Sequence, residues 1–222
     1  MINIKQQEEI LIALGNILEK KIVVYAIGGT AMMLRGIKDS TLDIDLVFDK
    51  KDDRDKFIFA LKQLGAKDFD VTIVYGLKNN IPIMLKLGDA RFDLFMNKII
   101  TSTFSDKMKE RANQNHEFGK NLIIKAANSH DIIIMKCVTS RTKDLEDISV
   151  IMQNNDINWD IITDEAQQQV NLGNENAIVS IGEKLEKLNN KKIIEVPKQI
   201  LDKLWVMLKE QSKKKSKKIN LK

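Results

Sequence analysis

Thr41-Leu42-Asp43-Ile44-Asp45-Leu46-Val47-Phe48 alternates with a period of two, the pattern of a β-strand. Ile44, Leu46 and Phe48 share one face; Asp43, Asp45 and Val47 share the other. Two carboxylates at i and i+2 stand side by side, repel each other and resist ionising together. A divalent cation removes that repulsion. Mg²⁺ takes carboxylate oxygens and keeps positions for water and substrate phosphate. The apolar face anchors the acids from behind, as a rigid metal site requires. The plainer alternative is a solvated strand face that happens to carry two acids.

Upstream, Ile22-Val23-Val24-Tyr25-Ala26-Ile27 is a β-branched run of strand length that ends at Gly28-Gly29. Thr30 to Arg35 then reads as a short helix that Gly36 stops. Glycines between a strand and a helix let the backbone approach a ligand closely, and exposed amides there favour phosphate. A tight turn is the everyday reading of the same pair. Downstream, Arg91-Phe92-Asp93-Leu94-Phe95-Met96 is a further strand with Asp93 inside an apolar run. A buried acid costs free energy unless it is paired or metal-bound. If that strand lies beside Asp43 and Asp45, three carboxylates converge and could hold two ions about 4 Å apart. The competing reading pairs Asp93 with Arg91 or with Lys86.

The remaining patterns frame these strands. Gln7 to Lys20 and Asp52 to Leu64 carry apolar residues at helical spacing. Val71 to Tyr75, Ile81 to Leu87 and Arg91 to Met96 read as three strands joined by two hairpins, and Asn121 to Lys125 as a further short strand. After Ser129, a good N-cap, the texture becomes helical: Ile132 to Ser140, Asp144 to Met152, Trp159 to Leu172, Ala177 to Leu188 and Lys198 to Lys209. The expected organisation is an α/β core over residues 1–128, a helical region over 129–210 and a Lys-rich flexible tail over 211–222.

Composition narrows the class. With 43% hydrophobic and 30% charged residues, 222 residues are enough for a packed core. One cysteine, Cys137, excludes an internal disulfide and a cysteine-rich zinc site, and two histidines leave little for a histidine-based one. The apolar runs are far shorter than the roughly 18 residues a bilayer span needs, and the polar N-terminus has no secretory character. A cytoplasmic protein without membrane partners is expected. The net charge of +5 is uneven, because Lys209 to Lys222 contributes +6 and everything before it −1. That basic end is a solvated terminus or a contact for a polyanion.

Gly28-Gly29-Thr30-Ala31, a helix, and then Asp39-Ser40-Thr41-Leu42-Asp43-Ile44-Asp45-Leu46 resemble the signature of the polymerase-β-type nucleotidyltransferase superfamily, with Asp93 as the third acid. Lys136, Arg141, Asp144 and Asp147-Ile148, at their spacing, are similar to small prokaryotic members related to AbiEii-type toxins and to uncharacterised nucleotidyltransferases. One departure stands out: relatives often carry an arginine two residues before the threonine, where this chain has Asp39 with Lys38 beside it.

The resemblance implies a nucleotidyltransferase fold, a small mixed sheet flanked by helices with a helical C-terminal part. It implies transfer of a nucleoside monophosphate from a nucleoside triphosphate to an acceptor hydroxyl, on an RNA 3′ end such as tRNA or on a protein, using Mg²⁺ or Mn²⁺. Asp43, Asp45 and Asp93 would hold metal, with Asp93 able to act as base. Gly28, Gly29 and Thr30 would cradle the outer phosphates, and Lys136 would meet the triphosphate. Arg141 would bind phosphate or base, and Asp144 would orient Lys136 or Arg141. A cognate antitoxin is an expected partner if the chain is a toxin. Surface salt bridges are the alternative for Lys136 and its neighbours, and a non-catalytic nucleotide- or partner-binding module is the alternative for the whole chain.

Overall fold

The computed structural model describes residues 2–139 and 141–219, with side chains to residue 213. The elements run β1 (Ile2–Asn3), α1 (Ile4–Ile17), β2 (Ile22–Ala26), α2 (Gly28–Leu34), β3 (Ser40–Thr41), β4 (Asp43–Phe48), α3 (Lys51–Gln63), β5 (Lys67–Asp68), α4 (Thr72–Tyr75), β6 (Ile83–Leu87), β7 (Ala90–Met96), β8 (Lys98–Ile99), β9 (Ser102–Thr103), α5 (Asp106–Arg111), β10 (Gln114–Phe118) and β11 (Leu122–Ala126). Helices follow: α6 (Ser129–Cys137), α7 (Lys143–Gln153), α8 (Trp159–Asn171), α9 (Ala177–Asn190) and α10 (Lys198–Ile219). Two compact units divide between Ile132 and Ile133, a few residues beyond the boundary expected at 128.

The first unit is built on a seven-stranded mixed sheet in the order β10-β11-β2-β4-β7-β6-β5. β4 runs antiparallel to β2 and parallel to β7. Ile44, Leu46 and Phe48 are fully buried, as the alternation of β4 requires. Phe48, Phe57 and Phe92 form a chain of edge-on ring contacts, at 5.3 and 6.4 Å, that ties α3 to β4 and β7. β1 pairs with β3, so the N-terminal residues brace the segment that leads into β4.

Three sequence expectations change here. Val71 to Tyr75 is not a strand. Oδ1 of Asp70 accepts from the Thr72 amide at 2.9 Å and from the Thr72 hydroxyl at 2.7 Å, and these local bonds turn the chain into α4. The partner of β6 is instead the short β5, so no tight hairpin joins them. At α6, Asn128 rather than Ser129 accepts from the first-turn amide of His130, at 3.0 Å.

The second unit is helical. α9 packs against α7, α8 and α10, burying Ile178, Ile181, Leu185 and Leu188 on one stripe. Asn158 caps α8 by accepting from Asp160 N and Ile161 N. α10 runs to Ile219, so its backbone is helical through most of the stretch read as a tail; the side chains of 214–222 lie outside the described residues. No helix among the described residues is long and apolar enough to cross a membrane.

Candidate active site

The register of β4 on β7 sets Asp45 beside Asp93 and Asp43 beside Arg91. Side chains at i and i+2 of each strand share a face, so all four groups point the same way. One oxygen each from Asp43, Asp45 and Asp93 lies within 4.8 Å of the others, and this is the group of possible metal ligands found among the described residues. An oxygen-only donor set from carboxylates suits a hard ion such as Mg²⁺ or Mn²⁺. Asp93 is 0% exposed, which no ionised carboxylate sustains without partners.

The structure supplies those partners. Arg91 Nε donates to Asp93 Oδ1 at 3.0 Å and Arg91 Nη2 to Oδ2 at 3.3 Å. The same Nη2 forms an ion pair with Asp43 Oδ2. The hydroxyl of Tyr75 donates to Asp93 Oδ2 at 2.7 Å. Asp93 therefore lies in the acidic trio and also pairs with Arg91. Lys86 stands opposite Arg91 in the β6–β7 register and takes no part in this ion pair. Burial raises the Asp93 carboxyl above the usual range, and the phenol of Tyr75 and the guanidinium of Arg91 pull against that rise. Burial, and then the negative charges of Asp45 and Asp93, raise the Tyr75 phenol, so it is a proton donor at neutral pH.

The glycine turn is shaped around the acids. Gly28 sits at φ +55, in the left-handed region, and a Cβ there would lie 2.8 Å from Asp45 Oδ2. A Cβ on Gly29 would lie 2.4 Å from Thr41 Oγ1. Ile27 N donates to Asp45 O at 3.2 Å, which presses this turn onto β4. Thr30 is fully buried. Its hydroxyl donates to Asp43 O at 3.3 Å and accepts from Asp45 N at 2.9 Å. The structure thus gives Thr30 a positioning part, clipping the backbone between the two acids, where a phosphate contact was expected. Arg35, at the end of α2, donates to the carbonyls of Ala126 and Ala127 and fixes the end of β11 to this turn.

Lys136, Arg141 and Asp144 form a cluster within the second unit. Lys136 Nζ is buried and donates to Asp144 Oδ1 at 3.0 Å and to Asp147 Oδ2 at 2.6 Å. Arg141 Nε reaches Asp144 Oδ2 at 3.1 Å, and the Thr139 hydroxyl donates to the same oxygen. Burial pushes the Asp144 carboxyl up, but Lys136, Thr139 and Arg141 outweigh it and hold it below the usual range. Asp144 thus contacts both Lys136 and Arg141. Lys136 spends its charge on two carboxylates inside the fold. Lys184, which carries no pattern in the sequence, closes the cluster by donating to the carbonyls of Lys136 and Thr139.

A seven-stranded mixed sheet gathers three carboxylates beside a strand-to-helix glycine turn, the arrangement that the resemblance to nucleotidyltransferases implies. The chain belongs to a family described as nucleotidyltransferases of unknown function (DUF6036), whose profile matches residues 3–191. No curated protein matches it. Among solved structures, the chain is similar to ANT(2″)-Ia in complex with adenylyl-2″-tobramycin, at 15% identity and a TM-score of 0.40 over 74% of this chain and 87% of that one. It is also similar to JHP933 from Helicobacter pylori, at 15% identity and a TM-score of 0.36 over 96% of this chain and 94% of that one.

Proposed function

We propose that this chain is a metal-dependent nucleotidyltransferase that moves a nucleoside monophosphate from a nucleoside triphosphate to an acceptor hydroxyl, at an RNA 3′ end such as that of tRNA or on a protein. The observation that supports it best is the meeting of the Asp43, Asp45 and Asp93 oxygens within 4.8 Å on two adjacent strands. Those three carboxylates would hold Mg²⁺ or Mn²⁺, which when bound neutralises charge on the triphosphate. The backbone at Gly28 and Gly29, free of side chains, takes the outer phosphates. Asp93 would hold an ion together with Asp43 or Asp45, or would itself, as the carboxylate, accept the proton of the acceptor hydroxyl. The acceptor oxygen bonds to the α-phosphorus, the bond from that phosphorus to the bridging oxygen breaks, and pyrophosphate leaves. Arg141, with 68% of its side chain exposed, is open to a phosphate or a base, whereas Lys136 and Asp144 hold the second unit together.

The narrower resemblance to AbiEii-type toxins extends this reading: the activity would serve as a toxin that a cognate antitoxin restrains. The test is incubation with each α-labelled nucleoside triphosphate, Mg²⁺, bulk tRNA and a protein extract. Label moves to one acceptor class with the wild type and not with Asp43→Asn. Transfer from no triphosphate to either class refutes the reading.

One observation favours a second reading, a nucleotide-binding module without turnover. The guanidinium of Arg91 already compensates Asp43 and Asp93. That reading requires nucleotide binding to persist without any label transfer.

A further inference from the structure

Between β5 and β6 the chain runs as a strap, residues 69–82. Its ends are tied down. Phe69 N donates to Met84 O at 3.0 Å, Ile100 N donates to Asn80 O at 3.1 Å, and Asn80 Nδ2 donates to Ile100 O at 3.1 Å. Apolar burial does not hold the middle, for Ile73 is 72% exposed and Leu77 is 99% exposed. Only between these two does a side chain of the strap turn to the acidic trio. The Tyr75 ring meets Phe95 edge-on at 6.2 Å, and its hydroxyl reaches Asp93 Oδ2 at 2.7 Å.

Asp93 thus has two donors of different kinds, Arg91 from its own strand and Tyr75 from the strap. A cation arriving at the trio repels a guanidinium and leaves a neutral phenol in place. Tyr75 is the donor that Asp93 keeps once an ion is bound. Without the phenol, Asp93 Oδ2 is left to the two-pronged fork that Arg91 already makes with this carboxylate through Nε and Nη2. That fork then competes with a cation for both Asp93 oxygens.

We propose that Tyr75 is a positioning residue of the acidic site: by donating to Asp93 Oδ2, it aims the third carboxylate at a divalent cation. The inference rests on the metal-dependent reading above and adds a residue from outside the sequence signature. Hydrogen-bond partners of metal ligands are worth about 10- to 100-fold in metal affinity.

The experiment is calorimetric titration of the full chain with Mn²⁺, for wild type, Tyr75→Phe and Asp93→Asn, with thermal unfolding of each. Tyr75→Phe keeps the ring contact with Phe95, so its unfolding midpoint stays near wild type while its Mn²⁺ dissociation constant rises about tenfold. A packing role alone moves the midpoint and not the metal affinity. If Tyr75→Phe folds poorly, Arg91→Ala decides: Tyr75 remains the donor to Asp93 and Mn²⁺ binds at least as tightly as in wild type, whereas an affinity about tenfold weaker overturns the proposal. Unchanged Mn²⁺ affinity in Tyr75→Phe, with Asp93→Asn weakened, overturns the role of Tyr75. Unchanged affinity in Asp93→Asn overturns the metal site itself.

Discussion

Gly28→Ala against Gly36→Ala separates backbone strain from damage to the acidic site. Both glycines are left-handed, at φ +55 and φ +69, so both substitutions cost about 1–2 kcal/mol for a side chain in that region. For a chain of this size that lowers the unfolding midpoint by roughly 2–8 °C. Only Gly28 has a functional neighbour. A Cβ at Gly36 meets nothing within 4 Å, whereas one at Gly28 meets Asp45 Oδ2 at 2.8 Å, well inside the 3.4 Å where ordinary contact begins. The carboxylate must retreat by roughly 0.6 Å, and metal sites hold their ligand distances to about 0.2 Å. The assay is thermal unfolding together with Mn²⁺ titration. The two variants should unfold at similar temperatures, while Gly28→Ala alone binds Mn²⁺ at least about tenfold more weakly. Equal Mn²⁺ affinity in the two variants would refute the coupling of this turn to Asp45.

Further outcomes follow from the charge clusters. Arg91→Ala leaves Asp43 and Asp93 without their counter-charge. It should destabilise the metal-free protein by about 1–2 kcal/mol, below the 3–5 kcal/mol of a fully buried pair because Arg91 and Asp43 retain some solvent contact. Saturating Mg²⁺ should restore more of its unfolding midpoint than it adds to the wild type. Lys136→Met removes the buried cation shared by Asp144 and Asp147 and should cost about 3–5 kcal/mol, measured by urea unfolding. The folded pKa of Asp144 is depressed, so the native state binds its proton less readily than the unfolded chain. The stability this contributes is present above the ordinary carboxyl pKa, near 4, and is lost as pH falls through the folded value. Melting from pH 6 down to pH 2.5 should show a steeper acid-side loss in wild type than in Asp144→Asn.

The strand that carries Asp43 and Asp45 is legible because one face is wholly apolar, and a one-residue slip would bury both acids. Asp93 is legible because an acid inside Phe92-Asp93-Leu94-Phe95 demands a partner. Its neighbours are harder to read. Tyr75 reaches Asp93 only because Asp70 bends the chain into a short helix, and a β-branched run hides that bend. β10 is a polar edge strand, Gln114-Asn115-His116-Glu117-Phe118, whose single large apolar residue gives no alternation to detect. The role of Thr30 was invisible because a hydroxyl beside Gly-Gly suits a phosphate and a backbone clip equally well. Lys184 caps carbonyls 48 and 45 residues away in sequence, and no local pattern encodes such a contact.

Nucleotidyl transfer differs from other phosphoryl transfers in which phosphate of the triphosphate moves. Parallel reactions with α-labelled and γ-labelled triphosphate, each with Mg²⁺ and acceptor, ask this directly. Transfer of the α label alone, with pyrophosphate released and the reaction lost in Asp45→Asn, is the predicted result. Transfer of the γ label, or α transfer that survives Asp45→Asn, would contradict it.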